Sequence, residues 1–304
     1  MATTTLDERI DRLSTLSAKR VIEPDVDVVG SVGSGQVLPD ELLSVRDLGL
    51  DLTADQRRRL AAEEVAAVAD EGIRFESILT AGFSVQIEEA PDLTAPWVVY
   101  ALHELGEETR HARLFIRLLS QLQPKAKNPF NVGFNGAIKR RIVKFLITRP
   151  PLFYTMVLAG EEIPDLHQKR SSEHPDTDPF IAAVNRYHRQ EEARHLSFVR
   201  MRLPEVMAAA TWRQRAQVRW FAPWIIQAQF NGIFHPGIYS AVGLPGWRTW
   251  KQVHASRFAI DLRNEATRPI LRELIAAGAV RTGRVPRGWR HLSGVDRIGE
   301  ALPS

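Results

Sequence analysis

The feature that most constrains this chain is a motif it contains twice. Glu107-Glu108-Thr-Arg-His111 and Glu191-Glu192-Ala-Arg-His195 both read Glu-Glu-x-Arg-His. On a helix, the Glu and His of each Glu-x-x-His pair lie one turn apart on one face. His188 lies a further turn before Glu192. At about 100° per residue, His188, Glu192 and His195 share a stripe of roughly 60°. The stripe continues apolar, with Ile181 and Val184 before it and Leu196, Val199 and Leu203 after it, so it is expected to face a core. Burying a carboxylate and two imidazoles is costly unless something pairs with them, and a metal ion would satisfy all three. One Glu-x-x-His is weak evidence, because both residue types are common on solvated helices. Two copies with identical flanks point to a di-metal carboxylate bundle, in which two helices each supply Glu-x-x-His and two others each supply one Glu. The chain must then provide two more helices with a carboxylate on an apolar face.

The pattern predicts those helices. The first starts with Thr53 as N-cap and runs to about Glu89, with Val65, Val68, Gly72, Leu79 and Phe83 on its apolar line. Glu76 falls on that line. Glu71 lies about 140° away and is expected in solvent, as are Glu63 and Glu64. The second spans about Pro96 to Leu122 and carries Glu108 and His111 beside Ala101, Leu105, Phe115 and Leu118. His103 and Glu104 are nearby competitors for a ligand or supporting role. The third spans 151–170, where Glu161 and Glu162 both follow an apolar run. Pro164 is expected to kink it, and Ala159 and Gly160 leave room beside the site. The fourth follows Asp178 and carries the opening motif. Together these make an all-α protein with a ferritin-like four-helix bundle core and additional helices.

The remaining segments are less regular. Residues 4–19 form an amphipathic helix through Leu6, Ile10, Leu13 and Leu16. Residues 21–50 have no clear period. The expected division is an N-terminal arm over 1–50 that wraps the domain, the bundle over 51–240, and a C-terminal helix with a basic tail over 241–304 packed on the same domain. Residues 125–149 are a basic connection containing Lys125, Lys127, Lys139, Arg140, Arg141, Lys144 and Arg149, and no acidic residue lies between Glu108 and Glu161. That stretch is either a solvated face or a docking patch for an acidic partner or carboxylate substrate. Helical text continues past Pro204 to about Phe234, with Trp212, Trp220, Phe221 and Trp224 expected to close the bundle and pack its outside. His235-Pro-Gly breaks the pattern, one helix spans 248–278, and the tail from Arg281 to Ser304 is basic and irregular. His167, His174, His254 and His291 have no partner spacing and are expected at the surface.

Composition narrows the chemistry. The chain of 304 residues has no cysteine, which excludes disulfides, iron–sulfur clusters and thiolate zinc sites and fits a reducing compartment. The first twenty residues carry charges throughout, without the apolar run of a signal peptide. No stretch of about 18 apolar residues suggests a spanning helix. A net charge of +4 does not call for nucleic acid. The expected location is the cytoplasm.

At this point the residues resemble a known family, the p-aminobenzoate N-oxygenases, non-haem diiron enzymes with a ferritin-like bundle that oxidise aryl amines. The resemblance covers roughly residues 55–240, with a weaker echo in Arg-Leu-Ser-Thr-Leu-Ser-Ala near the N-terminus. The family adds a third histidine one turn before the last Glu-x-x-His, which here is His188. Its helix-three carboxylate lies 27 residues before that histidine, which selects Glu161 over Glu162. Its first carboxylate context is matched by Glu71…Glu76-Ser-Ile-Leu. The resemblance thus implies Glu76, Glu108, His111, Glu161, His188, Glu192 and His195 as ligands of two Fe ions, with Mn as a substitute. Glu107 and Glu191 stand where a family member has Asp. They could accept the free ring N–H of a ligating histidine on the neighbouring helix, with Arg110 and Arg194 pairing to them.

The implied function is an O2-dependent monooxygenase acting on an amine, with the metal centre as the catalytic group. Its expected partners are a small-molecule amine, dioxygen, an external electron donor and a candidate acidic carrier protein, in a homodimer. Two rival readings stand beside it: another diiron oxidation, such as acyl desaturation or hydroxylation, and a non-catalytic iron-binding bundle. The pocket residues and the exact substrate are left open by the sequence.

Overall fold

The computed structural model describes residues 5–280 and 283–297. It is all-α. Among the described residues there is no strand, only an isolated bridge between Arg284 and Arg297. Helix α1 (Leu6–Lys19) opens on a capping box in which Thr5 and Glu8 exchange side-chain-to-backbone hydrogen bonds. The bundle helices are α2 (Ala54–Glu88), α3 (Pro96–Leu122), α5 (Pro150–Glu173) and α6 (Pro179–Ala209), with α4 (Gly133–Ile147) between the second and third. Their ends follow local chemistry. Thr53 and Gln56 form a capping box. Gln123 adopts a left-handed φ of 47° before Pro124. Asp178 accepts from the amides of Phe180 and Ile181, with Pro179 at the first helical position.

Helices α2 and α3 pack against each other, as do α5 and α6. The two pairs join through α2–α5 and α3–α6 contacts, the ferritin-like arrangement expected. The core at one end centres on Phe83, Tyr100, Phe153, Tyr154 and Phe198, whose rings meet at 4.4–6.4 Å. Gly82 makes this possible, since a Cβ there would sit 2.1 Å from the Phe153 ring. At the other end, Leu38, Leu43 and Val45 of the irregular N-terminal segment bury against Leu60, Ala61 and Val65 of α2. Burial of this apolar surface, at about 25 cal/mol per Å², holds down a segment whose regular structure is limited to a one-turn helix, Pro24–Asp27, and two 3-10 turns, Asp40–Leu42 and Arg46–Leu48.

Several expectations are corrected. The basic connection contains a 15-residue helix, α4. Its Ile138, Ile142, Phe145 and Leu146 recur at helical spacing, a period masked by the four intervening cations. The segment after Pro204 is not one helix. Helix α6 carries Pro204 inside it and ends at Ala209, and α7 (Trp212–Trp220) and α8 (Ala222–Ile233) follow. Trp212, Trp220 and Trp224 do not close the bundle, since all three are exposed. The break expected at His235-Pro-Gly is present, since α8 ends at Ile233 and His235 is extended, and Pro236 then starts the short helix α9 (Pro236–Ala241) at its first position.

Residues 248–278 split into α10 (Gly246–Ala255) and α11 (Arg257–Ala276), because Ser256 takes an extended conformation and caps the second helix through its Oγ. The tail holds one more helix, α12 (Arg287–Ser293), anchored by the fully buried Trp289, whose indole donates to the Val218 carbonyl. Residue 4 of the expected first helix, and residues 281–282 and 298–304 of the tail, lie outside the described residues. No single helix among the described residues is long and apolar enough to cross a membrane.

Candidate metal centre

The four bundle helices bring seven side chains together in the interior. Glu76 comes from α2, Glu108 and His111 from α3, Glu161 from α5, and His188, Glu192 and His195 from α6; none is more than 3% exposed. They form two groups, each with ligand atoms within 4.8 Å of one another: Glu76, His111, His188 and Glu192 in one, and Glu108, Glu161, Glu192 and His195 in the other. Glu192 belongs to both. His111 Nδ1 lies 3.1 Å from both Glu108 and Glu192, and His195 Nδ1 lies 2.9 Å from Glu192 and 3.2 Å from Glu108. His188 Nε2 lies 3.3 Å from Glu76 and 3.2 Å from Glu192.

Donor chemistry tests whether these residues fit metal ions. One oxygen each of Glu76, Glu108, Glu161 and Glu192 is buried and makes no hydrogen bond. Four converging carboxylates with orphaned oxygens are costly to hold in a dry interior. Burial, and then the charge of the neighbouring carboxylates, pushes Glu76 and Glu161 well above the usual range. Cations bound among these oxygens and three imidazoles would offset that repulsion, and the donor set suits iron or manganese. The residues therefore fit the two-metal centre that the pattern calls for.

A second layer orients the imidazoles from the far side. His111 Nε2 is 3.0 Å from Glu191, and His195 Nε2 is 2.8 Å from Glu107, each across the α3–α6 interface. Arg194 donates to Glu107 at 2.9 Å and to Glu191 at 3.4 Å, while Arg110 sits 3.7 Å from Glu191 and 3.9 Å from Glu107. Burial opposes the charge on Glu107, yet the His195 hydrogen bond and the charges of His195 and Arg194 hold its pKa down at about 2.

The sequence reasoning missed three supporting residues. Gln168 accepts, through its amide oxygen, from His188 Nδ1 at 3.0 Å; it lies seven residues after Glu161 and so on the same face, which was the available signal. Tyr187 donates to Glu191 at 2.9 Å. Ser17, from the N-terminal helix, accepts from Arg194 Nε at 3.1 Å, a contact 177 residues away in sequence.

The other candidates separate clearly in space. Glu162 pairs with Arg200 and lies outside both groups. His103 is also outside both groups, and only half-buried. Glu104 is fully buried beside the centre with neither oxygen hydrogen-bonded, and burial raises its pKa to about 8. Glu63 and Glu64 are buried rather than solvated. Glu63 accepts from the amides of Lys125 and Ala126, and Glu64 from the amide and hydroxyl of Ser44. Glu71 is also not in solvent: Asn128, Asn131 and Lys139 all donate to it. His167, His174 and His254 are half-buried, and only His291 is exposed. His254 Nε2 lies 3.1 Å from the Phe234 carbonyl.

A cavity of about 360 Å³ opens onto the Glu76, Glu161 and His188 side of the centre. Its walls are mainly apolar, drawn chiefly from α2, α4, α5 and α8 with Phe115 from α3 and His188 from α6, and include Phe75, Ile142 and Ile225. Gly160 lets the Phe75 ring lie against the α5 backbone, where a Cβ would be 1.6 Å from the ring.

An all-α bundle with paired Glu-x-x-His helices around buried carboxylates defines the class of ferritin-like di-metal proteins. Within it, this chain belongs to the p-aminobenzoate N-oxygenase family AurF, whose pattern it matches over residues 3–278. It is also 30% identical over 173 residues to an uncharacterized protein of Mycobacterium bovis and to one of Mycobacterium tuberculosis, covering 56% of this chain and 50% of each relative. The chain thus spans about half the length of the curated relatives it matches.

Proposed function

We propose that this protein is a non-haem diiron monooxygenase that uses O2 to oxidise an amine, and that an aryl amine undergoing N-oxygenation is its substrate. The observation that carries this reading is the contact between the cavity and one side only of the seven-residue cluster. A storage site needs ions to enter and leave, whereas an oxygenase needs a closed apolar room against the metals. Family membership adds the reaction class.

Glu76, Glu108, His111, Glu161, His188, Glu192 and His195 would hold two iron ions, with manganese as a substitute; Glu192 is the residue common to both groups. The bound ions supply the redox chemistry that activates dioxygen. The chain's own residues do the rest. Glu107 and Glu191 hold the ring N–H of His195 and His111, which fixes the tautomer that leaves Nδ1 free to coordinate. Gln168 fixes His188 in the same way through Nδ1, leaving its Nε2 free. Arg194 and Arg110 balance the charge of that outer layer. Phe75, Phe115 and Ile142 exclude water from the room that receives the substrate.

Metal analysis of iron-replete protein tests the reading. Two iron atoms per chain are expected, with an optical change when the reduced protein meets dioxygen. A stoichiometry near zero, or a single zinc, would sink it. His188→Ala is expected to stay folded and lose iron or oxygenation.

A further inference from the structure

We infer that the cavity selects an amine whose far end is uncharged and that it discriminates against a free carboxylate. This rests on the cavity being the amine site. Apart from the candidate ligands at its inner wall, the charged groups lining it are Glu71, Arg74 and Lys139. Both cations are already matched. Lys139 Nζ lies 3.0 Å from Glu71 Oε2 and 2.7 Å from Asn131 Oδ1. Arg74 grips Asp70 with two hydrogen bonds, of 2.8 and 3.1 Å. Glu71 Oε1 in turn accepts from Asn128 and Asn131.

The Glu71 side chain is only 18% exposed, so its charge acts at close range and is weakly screened. A ligand carboxylate seated at this end would give up water and find Lys139 already paired with Glu71 and Arg74 already paired with Asp70. A neutral acceptor meets no such barrier. The Lys139 ammonium has three donors, of which two are used, so one N–H remains for a carbonyl oxygen. The matching ligand is an aryl amine bearing an amide, ester or thioester opposite the amine. A site tuned this way rejects the charged analogue by repulsion as much as by lost contacts.

Calorimetric titration of the iron-loaded protein with 4-aminobenzamide and 4-aminobenzoate tests this, because the two share ring, amine and shape and differ in charge. The amide is expected to bind at least about ten-fold more tightly at neutral pH. Equal or tighter binding of the anion overturns the inference and leaves the amine-oxygenase reading standing. If neither binds while metal content is full, the aryl-amine reading itself fails and takes the inference with it. Glu71→Gln releases Lys139 and is expected to raise the affinity of the anion about ten-fold, with the amide changed by less than about three-fold. No gain for the anion in a folded variant also overturns it, and the wild-type comparison decides alone if that variant does not fold.

Discussion

The Nε2 of His195 lies 2.8 Å from the Glu107 carboxylate on the opposing helix. The reciprocal pair, His111 and Glu191, spans 3.0 Å in the other direction. The two copies of Glu-Glu-x-Arg-His therefore interlock: in each, the second Glu and the His turn inward and the first Glu supports the histidine of the other copy. Removing one such support costs metal affinity without removing a ligand. Glu107→Gln is expected to weaken metal binding about 10–100-fold while the far-ultraviolet helical signal is unchanged. Competition titration with a chelator measures it, and wild-type affinity would show the contact to be incidental.

Glu161 and Glu162 are neighbours with different expected roles. Glu161→Ala is expected to lower bound iron sharply. Glu162→Ala loses only its partly exposed pair with Arg200, worth about 0–1 kcal/mol. Equal, mild losses of iron in the two variants would contradict the assignment.

Glu64 sets a pH dependence away from the metals. Burial raises its pKa to about 7 from 4.5, against the opposing hydrogen bonds from Ser44. A carboxyl with a raised folded-state pKa contributes stability that is fully present below the unfolded value and is lost as pH rises through the folded one. The loss therefore falls between about pH 4.5 and 7 and is on the order of 3 kcal/mol at most. Glu64→Gln removes that titration, so its thermal midpoint is expected to fall less than the wild type's between pH 5 and 8. Parallel curves for the two proteins would refute this.

Gly160 is required by its neighbour. Gly160→Ala drives a Cβ into the Phe75 ring. Although alanine favours helix by about 1 kcal/mol, the overpacking is expected to win, for a net loss of about 1–3 kcal/mol. Because Phe75 lines the cavity, ligand affinity is expected to fall as well. Denaturant unfolding and ligand titration of the variant check both parts.

Were an acidic carrier to dock on the basic helix α4, Lys139 would take no part. Lys139 is occupied by Glu71, whereas Arg140, Arg141 and Lys144 are exposed and form no ion pair among the described residues. Phe134 and Ile138 are exposed on the same helix, and Ile138 also lines the cavity. If a carrier delivers the substrate, its turnover should weaken steeply with salt, since exposed charges are screened within about 8 Å at physiological ionic strength. Reversing Arg140, Arg141 and Lys144 to Glu should mimic that loss at unchanged iron content. Turnover insensitive to both changes would leave the face merely solvated.

The sequence alone determined the four bundle helices and the seven inward side chains to within a turn, because those signals are local. A helical stripe such as His188–Glu192–His195, a Thr53 cap or a Pro124 stop is written within a few neighbouring residues. Helical spacing left the choice between Glu161 and Glu162 open, and the family pattern favoured Glu161. What the tertiary structure decided were properties set by distant partners. Glu63, Glu64 and Glu71 were expected in solvent from their angular positions on the helix. They are instead drawn inward by donors 20 to 68 residues away, such as Ser44, the Lys125 amide and Lys139. The same holds for Gln168 behind His188, for Ser17 under Arg194, and for the cavity, whose walls come from six helices. Helical periodicity fixes which way a side chain points, but only the folded packing decides whether water or another part of the chain is there to meet it.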